Sequence, residues 1–191
     1  TTQGEPSQAD RSQWIAYLQD HQRPEDGLMI DPGMERHIIA KGPKPTEEEI
    51  ANVRRWTSRN AINALLRLGG KPRYRMANQE AFHAPDEIVK YMEGLHWRNP
   101  WAAGSGAGAV IMFQHFNRVL GDERADDIIR AGVDWLVRRQ DPATGAWSDG
   151  SSIALHRLIN GIFKVWIQVL PIAPLPVQYP ERVIDLCLRG L

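Results

Sequence analysis

Two stretches of this chain repeat one another at a fixed offset, and that self-similarity restricts the possible architectures more than any other feature. Tyr17-Leu18 is followed by Gln22, Pro24, Gly27 and Met29. Shifted by 118 positions, Trp135-Leu136 is followed by Gln140, Pro142, Gly145 and Trp147, and the offset extends to Asp31 and Asp149. Tyr91-Met92, with His96 and Trp101, reads as a degenerate middle copy. Each copy precedes a second helix, ending at Leu68-Gly69, Leu120-Gly121 and Leu170-Pro171 in turn. The unit is a helical hairpin of roughly 45–75 residues, present three times, with one extra helix at the C-terminus. Within each unit the aromatic-Leu pair packs one helix on its neighbour and the Gln satisfies backbone groups where that helix ends. Pro and Gly make the turn, and the final Trp or Met plugs the gap beneath it. One hairpin cannot bury its own apolar face, so the hairpins must stack. A row gives a solenoid and a ring gives a toroid; curved, toroid-like packing is the expectation.

Apolar spacing supports helices throughout. The first is expected from about Ser7 to His21, with Trp14, Ile15 and Leu18 facing one way. Thr46 and Glu49 form a capping box for a helix carrying Ile50, Val53, Ala61, Leu65 and Leu68, closed by Gly69-Gly70. A shorter helix starts near Pro85-Asp86, and His96 to Gly108 reads as a loop because Asn99-Pro100 and three glycines interrupt it. Val110 to Leu120 forms the next helix, and Asp122 caps another that runs to Arg139. The segment Ser151 to Leu170 is apolar on several faces and is expected to be central. A Pro-rich connector, Pro171 to Pro180, leads to a last helix with Pro180 in its first turn. Seven helices and no convincing strand make an all-α chain of stacked antiparallel hairpins, a partial or open α/α toroid. Residues 1–191 read as a single repeat domain, whole or part of a larger protein.

Composition removes several classes of function. The 191 residues are 42% hydrophobic and carry 23 basic and 23 acidic side chains, so no basic excess marks a nucleic-acid partner. No apolar run reaches the roughly 18–20 residues of a membrane span, so membrane insertion is not expected. The single Cys187 rules out an internal disulfide framework and a thiolate zinc cage, and it reads as a small core residue. Glu35 and His37 are metal-ligand types without partner spacing, so neither metal nor cofactor is expected. The chain reads as soluble, with the cytoplasm slightly favoured as its compartment.

Leu136, Gln140, Gly145, Ala146 and Trp147 resemble the repeat of the squalene-cyclase and prenyltransferase superfamily. The segment from Gln140 to Trp147 also resembles turns in α/α-toroid glycosidases and polysaccharide lyases. Full toroids of these groups hold about five to seven hairpins, against three and a half here. The resemblance therefore implies an open partial ring, a domain of a larger protein, or half of a homodimer. Terpenoid cyclases of the superfamily use an Asp-x-Asp-Asp acid, which is missing. The nearest acidic cluster, Asp122 to Asp127, begins a helix and suits its dipole. The zinc-dependent prenyltransferases and lanthionine-type cyclases need thiolate ligands that this chain lacks.

Carbohydrate chemistry remains. A hydrolase would use two carboxyls flanking a cleft, and Asp31 and Asp149 hold equivalent positions after the repeated turn. Helix capping is the competing account for both. A lyase or epimerase would use a base beside a charge-neutralising group. His156, Asn160 and Lys164 share a polar stripe of one helix, with Arg157 next to His156, and suit that purpose, unless they are simply solvated or paired within the core. Trp97, Arg98, Asn99 and Trp101 could stack on a sugar ring and bond its hydroxyls, or could form the middle copy's plugged turn. The leading expectation is a domain that processes or binds a glycan or other small molecule at one end of its helices. Hydrolase, lyase and epimerase remain open. The alternatives are a non-catalytic interaction or scaffold domain, and a terpenoid cyclase-like enzyme with an unrecognised acid.

Overall fold

A computed structural model describes residues 6–33, 36, 45–77 and 82–189. Glu35 and His37 lie outside the described residues. Seven helices and no strand occur among those described: α1 Gln8–Asp20, α2 Glu47–Arg67, α3 Pro85–Glu93, α4 Pro100–Val119, α5 Ala125–Arg139, α6 Leu155–Val169 and α7 Pro180–Leu188. They fall into two compact units, residues 1–79 and 80–191, so that the two sharp copies of the repeat lie one in each.

In the first unit both helices begin on capping boxes. Ser7 and Asp10 close α1, and Thr46 and Glu49 close α2 as its sequence requires. The Glu49 carboxyl is held below the usual range by its bond from the Thr46 amide, and then by the Thr46 hydroxyl. Helix α2 buries Ser58, Arg59, Ile62 and Leu65 and stops at Gly69, whose φ of +83° ends the helix in the left-handed region. No residue of α1 is fully buried, and Trp14 is exposed rather than sharing an inner face with Ile15 and Leu18. Ile15 instead reaches the end of α2, where a Cβ on Gly70 would lie 3.1 Å from its side chain.

In the second unit α4 packs on α6 and on α5, and α3 packs on α5. Ile88, Met92, Ile111, Ile128, Leu136 and Val165 form the interior between them. Three expectations are corrected here. The stretch from His96 to Gly108 is a loop only as far as Asn99: α4 starts at Pro100, with the Asn99 side chain accepting from the Ala102 amide. Its glycines serve close packing instead. A Cβ on Gly104 would lie 2.8 Å from the Gly161 carbonyl, and one on Gly108 would lie 2.7 Å from Gln168, both on α6. Helix α4 is consequently the most buried element, and α6 is not central. One side of α6 is covered, while Phe163, Ile167 and Leu170 are about half exposed. The last helix begins at Pro180 as expected, but Cys187 is exposed rather than a core residue.

Candidate functional site

The repeated turn keeps the same principal bonds in both copies. Gln22 and Gln140 are buried and donate to the carbonyls of Gly27 (2.8 Å) and Gly145 (2.7 Å). Both glycines take positive φ, +73° and +69°. The amides of Arg23 and Asp141 donate to the carbonyls of Leu28 and Ala146, each over 2.9 Å. Each Gln oxygen then accepts from a returning segment, at Arg73 and Tyr74 in the first unit and at Gln178 in the second. The Gln side chain, too long and polar to bury without partners, therefore fastens the turn to the chain that passes over it. Trp147 fills the turn and donates its indole N–H to the Leu136 carbonyl over 2.7 Å. In the middle copy Trp97 plays this part rather than Trp101, donating to the Met92 carbonyl over 2.9 Å and packing against Trp135.

This geometry sorts the candidate residues. Trp97 is 5% exposed, so its ring is committed to the core and offers no face to a ligand. Asp31, in the first unit, accepts the Gly33 amide over 2.7 Å, and Asp149 accepts the equivalent Ser151 amide over 3.0 Å. Both carboxylates close turns two residues long, and Asp149 does not cap α6, which starts at Leu155 without a side-chain cap. The Ser151 hydroxyl and amide hold the Asp149 carboxyl below the usual range, and the charge of Arg98 adds to this. At neutral pH Asp149 is ionised, which unsuits it to the role of general acid.

The others converge. The bend before α4 presents Arg98 to the start of α6, and Arg98, Ser152, Ile153, Ala154, His156 and Arg157 line a cleft of about 220 Å³. Three of these six side chains are basic types, and none is acidic. The α6 N-terminus carries no side-chain cap and no acid in its first turn, so its partial positive charge adds to theirs. Pro100 packs on Gly161, which sets the first turn of α4 beside the middle of α6. There Trp101, 44% exposed, meets Lys164, whose Nζ stands 4.1 Å from the ring centroid. Asn160 is half-buried one turn before Lys164, and Asn99 is taken up as the α4 cap. Sequence reasoning missed Ser152, Ile153 and Ala154 as lining residues because it began the helix at Ser151. The Gly-Ser-Ser run after Asp149 is the signal that could have marked the later start. No ligating cluster of three or more His, Cys, Asp or Glu side chains occurs among the described residues. No helix among them is long and apolar enough to cross a membrane.

Comparison with protein families, with curated proteins and with solved structures finds no match to this chain.

Proposed function

We propose that the second unit is a segment of toroid-like helical-hairpin packing that binds an acidic carbohydrate in the cleft between Arg98 and the start of α6. The observation that carries this reading is the convergence of Arg98 with His156 and Arg157, from segments far apart in sequence, on one cleft without an acid in its lining. Guanidinium groups bond carboxylate and phosphate oxygens in pairs, which suits a sugar bearing such a group. The exposed Trp101 ring supplies a flat apolar surface of the kind sugar rings stack on. The packing of first helix on first helix, α3 on α5, and of second on second, α4 on α6, supports the toroid-like description.

The cleft favours binding, and its chemistry would be proton abstraction by His156 beside a carboxylate neutralised by Arg98 and Arg157. It does not present the two facing carboxyls that glycoside hydrolysis uses. The test is a glycan array probed with the wild-type chain, with Arg98→Ala/Arg157→Ala, and with His156→Ala. Retention of uronate-bearing glycans but not their neutral parents, lost in the double Arg variant, is the expected result. Loss of product formation but not retention in His156→Ala would add turnover to the reading. An array without acidic hits would overturn it. A second reading, a non-catalytic interaction domain, is supported by the exposed apolar residues of α6.

A further inference from the structure

A second cleft of the same unit lies between α5 and the proline-rich connector that precedes α7. It holds about 460 Å³ and shares no lining residue with the Arg98 cleft. A volume of that order suits a small-molecule ligand. Ile129, Val133 and Val137, spaced one turn apart along α5, form an apolar floor, and the first two are buried. Ala173, Pro174 and Pro176 of the connector form the other wall. Leu175, between the two prolines, is buried and roots that wall in the core. Proline is stiff and has no N–H, so neither proline offers a ligand a backbone donor. Arg118 draws the walls together, donating to the Ile172 carbonyl over 3.2 Å and to Asp126 of α5 over 3.1 Å.

Charge in this cleft has one unbalanced member. Of the two guanidinium groups in the lining, Arg118 is paired with Asp126 and Arg130 with Asp127, the latter over 3.2 Å. Asp134, also in the lining, has no hydrogen-bond or ion-pair partner among the described residues. Arg138, one turn further along α5, does not line the cleft. An anionic ligand would compete with Asp126 and Asp127 for guanidinium groups already engaged, and would meet the charge of Asp134. A cationic ligand finds a carboxylate that no described residue engages.

We propose that this cleft binds a small organic cation, an ammonium group carried on an apolar body, with Asp134 as the partner of the charge. The body lies along Val133 and Val137 against the proline wall. Asp134 is exposed, so its ion pair sets the sign of the ligand, while apolar contact supplies most of the affinity.

The test titrates phenylbutylammonium and phenylbutanoate, which share one body and differ in charge, into the full chain. The methyl resonances of Ile129, Val133 and Val137 are followed by NMR. These signals report this cleft and not the Arg98 cleft, where the carboxylate probe meets guanidinium groups of its own. The ammonium is expected to shift the methyls saturably, and the carboxylate to bind about threefold more weakly or worse by the same signals. Asp134→Asn should weaken the ammonium about threefold and abolish the preference, with a thermal melt confirming that the exposed substitution leaves the fold intact. Methyls that do not respond to the ammonium, an equal or tighter response to the carboxylate, or a preference that survives in Asp134→Asn would each overturn the proposal.

Discussion

Each Gln of the repeated turn holds two polypeptide segments at once, and that double use makes the turn sensitive to single substitutions. Removing the Gln140 side chain leaves the Gly145 carbonyl and the Gln178 amide without their partner. Gln140→Ala should therefore lower unfolding free energy by about 1–3 kcal/mol, measured as a shift in urea midpoint at constant slope. Gly145 and Gly150 separate backbone strain from crowding. Both have positive φ, but a Cβ on Gly145 would lie 2.5 Å from Val183, whereas one on Gly150 meets nothing within 4 Å. Gly150→Ala should cost about 1 kcal/mol from backbone strain alone, and Gly145→Ala distinctly more. Equal losses in denaturant titrations would contradict this packing of α7 against the turn. These turns were legible in the sequence because a positive-φ glycine and a buried Gln leave a fixed spacing. The partners of the Gln oxygens were not legible, since they arrive 38 to 52 residues later with no constraint on side-chain type.

Among the elements, α4 and α6 show where sequence reading succeeds and fails. Glycines at positions 104 and 108 read as helix breakers, because their helical propensity is poor and their partner is invisible from one strand of sequence. In the structure they lie one turn apart against Gly161 and Gln168, and the helix continues through them. Gly104→Leu should disrupt this contact and destabilise the second unit by roughly 1–3 kcal/mol or more, readable in the thermal melt. A second element-scale tie is pH-sensitive. The Arg118 guanidinium bonds His115, Asp126 and the Ile172 carbonyl, linking α4 to α5 and to the connector. Burial pushes the His115 pKa down, and the charge of Arg118 pushes it further. The unfolded chain then takes up a proton near pH ~6.5 that the folded chain resists, so stability falls as pH drops below that value and is flat above it. His115→Gln, which keeps a neutral acceptor for Arg118, should remove this part of the acid-side loss. An unchanged slope in urea midpoints between pH 7 and 5.5 would contradict the assignment.

At the scale of the molecule, the all-helical class and the repeated turn followed from apolar spacing and the 118-residue offset. The division into two units did not, because the repeat has the same local chemistry in both. The second unit has its own interior around Ile88, Met92, Ile111 and Leu136. Residues 80–191 expressed alone should therefore keep their helicity and a cooperative melt; a broad, non-cooperative transition would contradict this. The candidate site was legible only as separate residue types. Arg98, His156 and Arg157, which line one cleft, and Trp101 and Lys164, which pair nearby along α4 and α6, stood out singly, but Pro100 seating on Gly161 is a contact that no pattern in the sequence announces. The central claim, that this grouping receives an acidic sugar, is tested most directly by calorimetric titration of a uronic-acid oligosaccharide and its neutral parent into the chain. Saturable binding of the acidic sugar alone, weakened at least tenfold by either Arg157→Ala or Trp101→Ala, is the predicted result. Absence of binding, or equal affinity for the neutral parent, would contradict it.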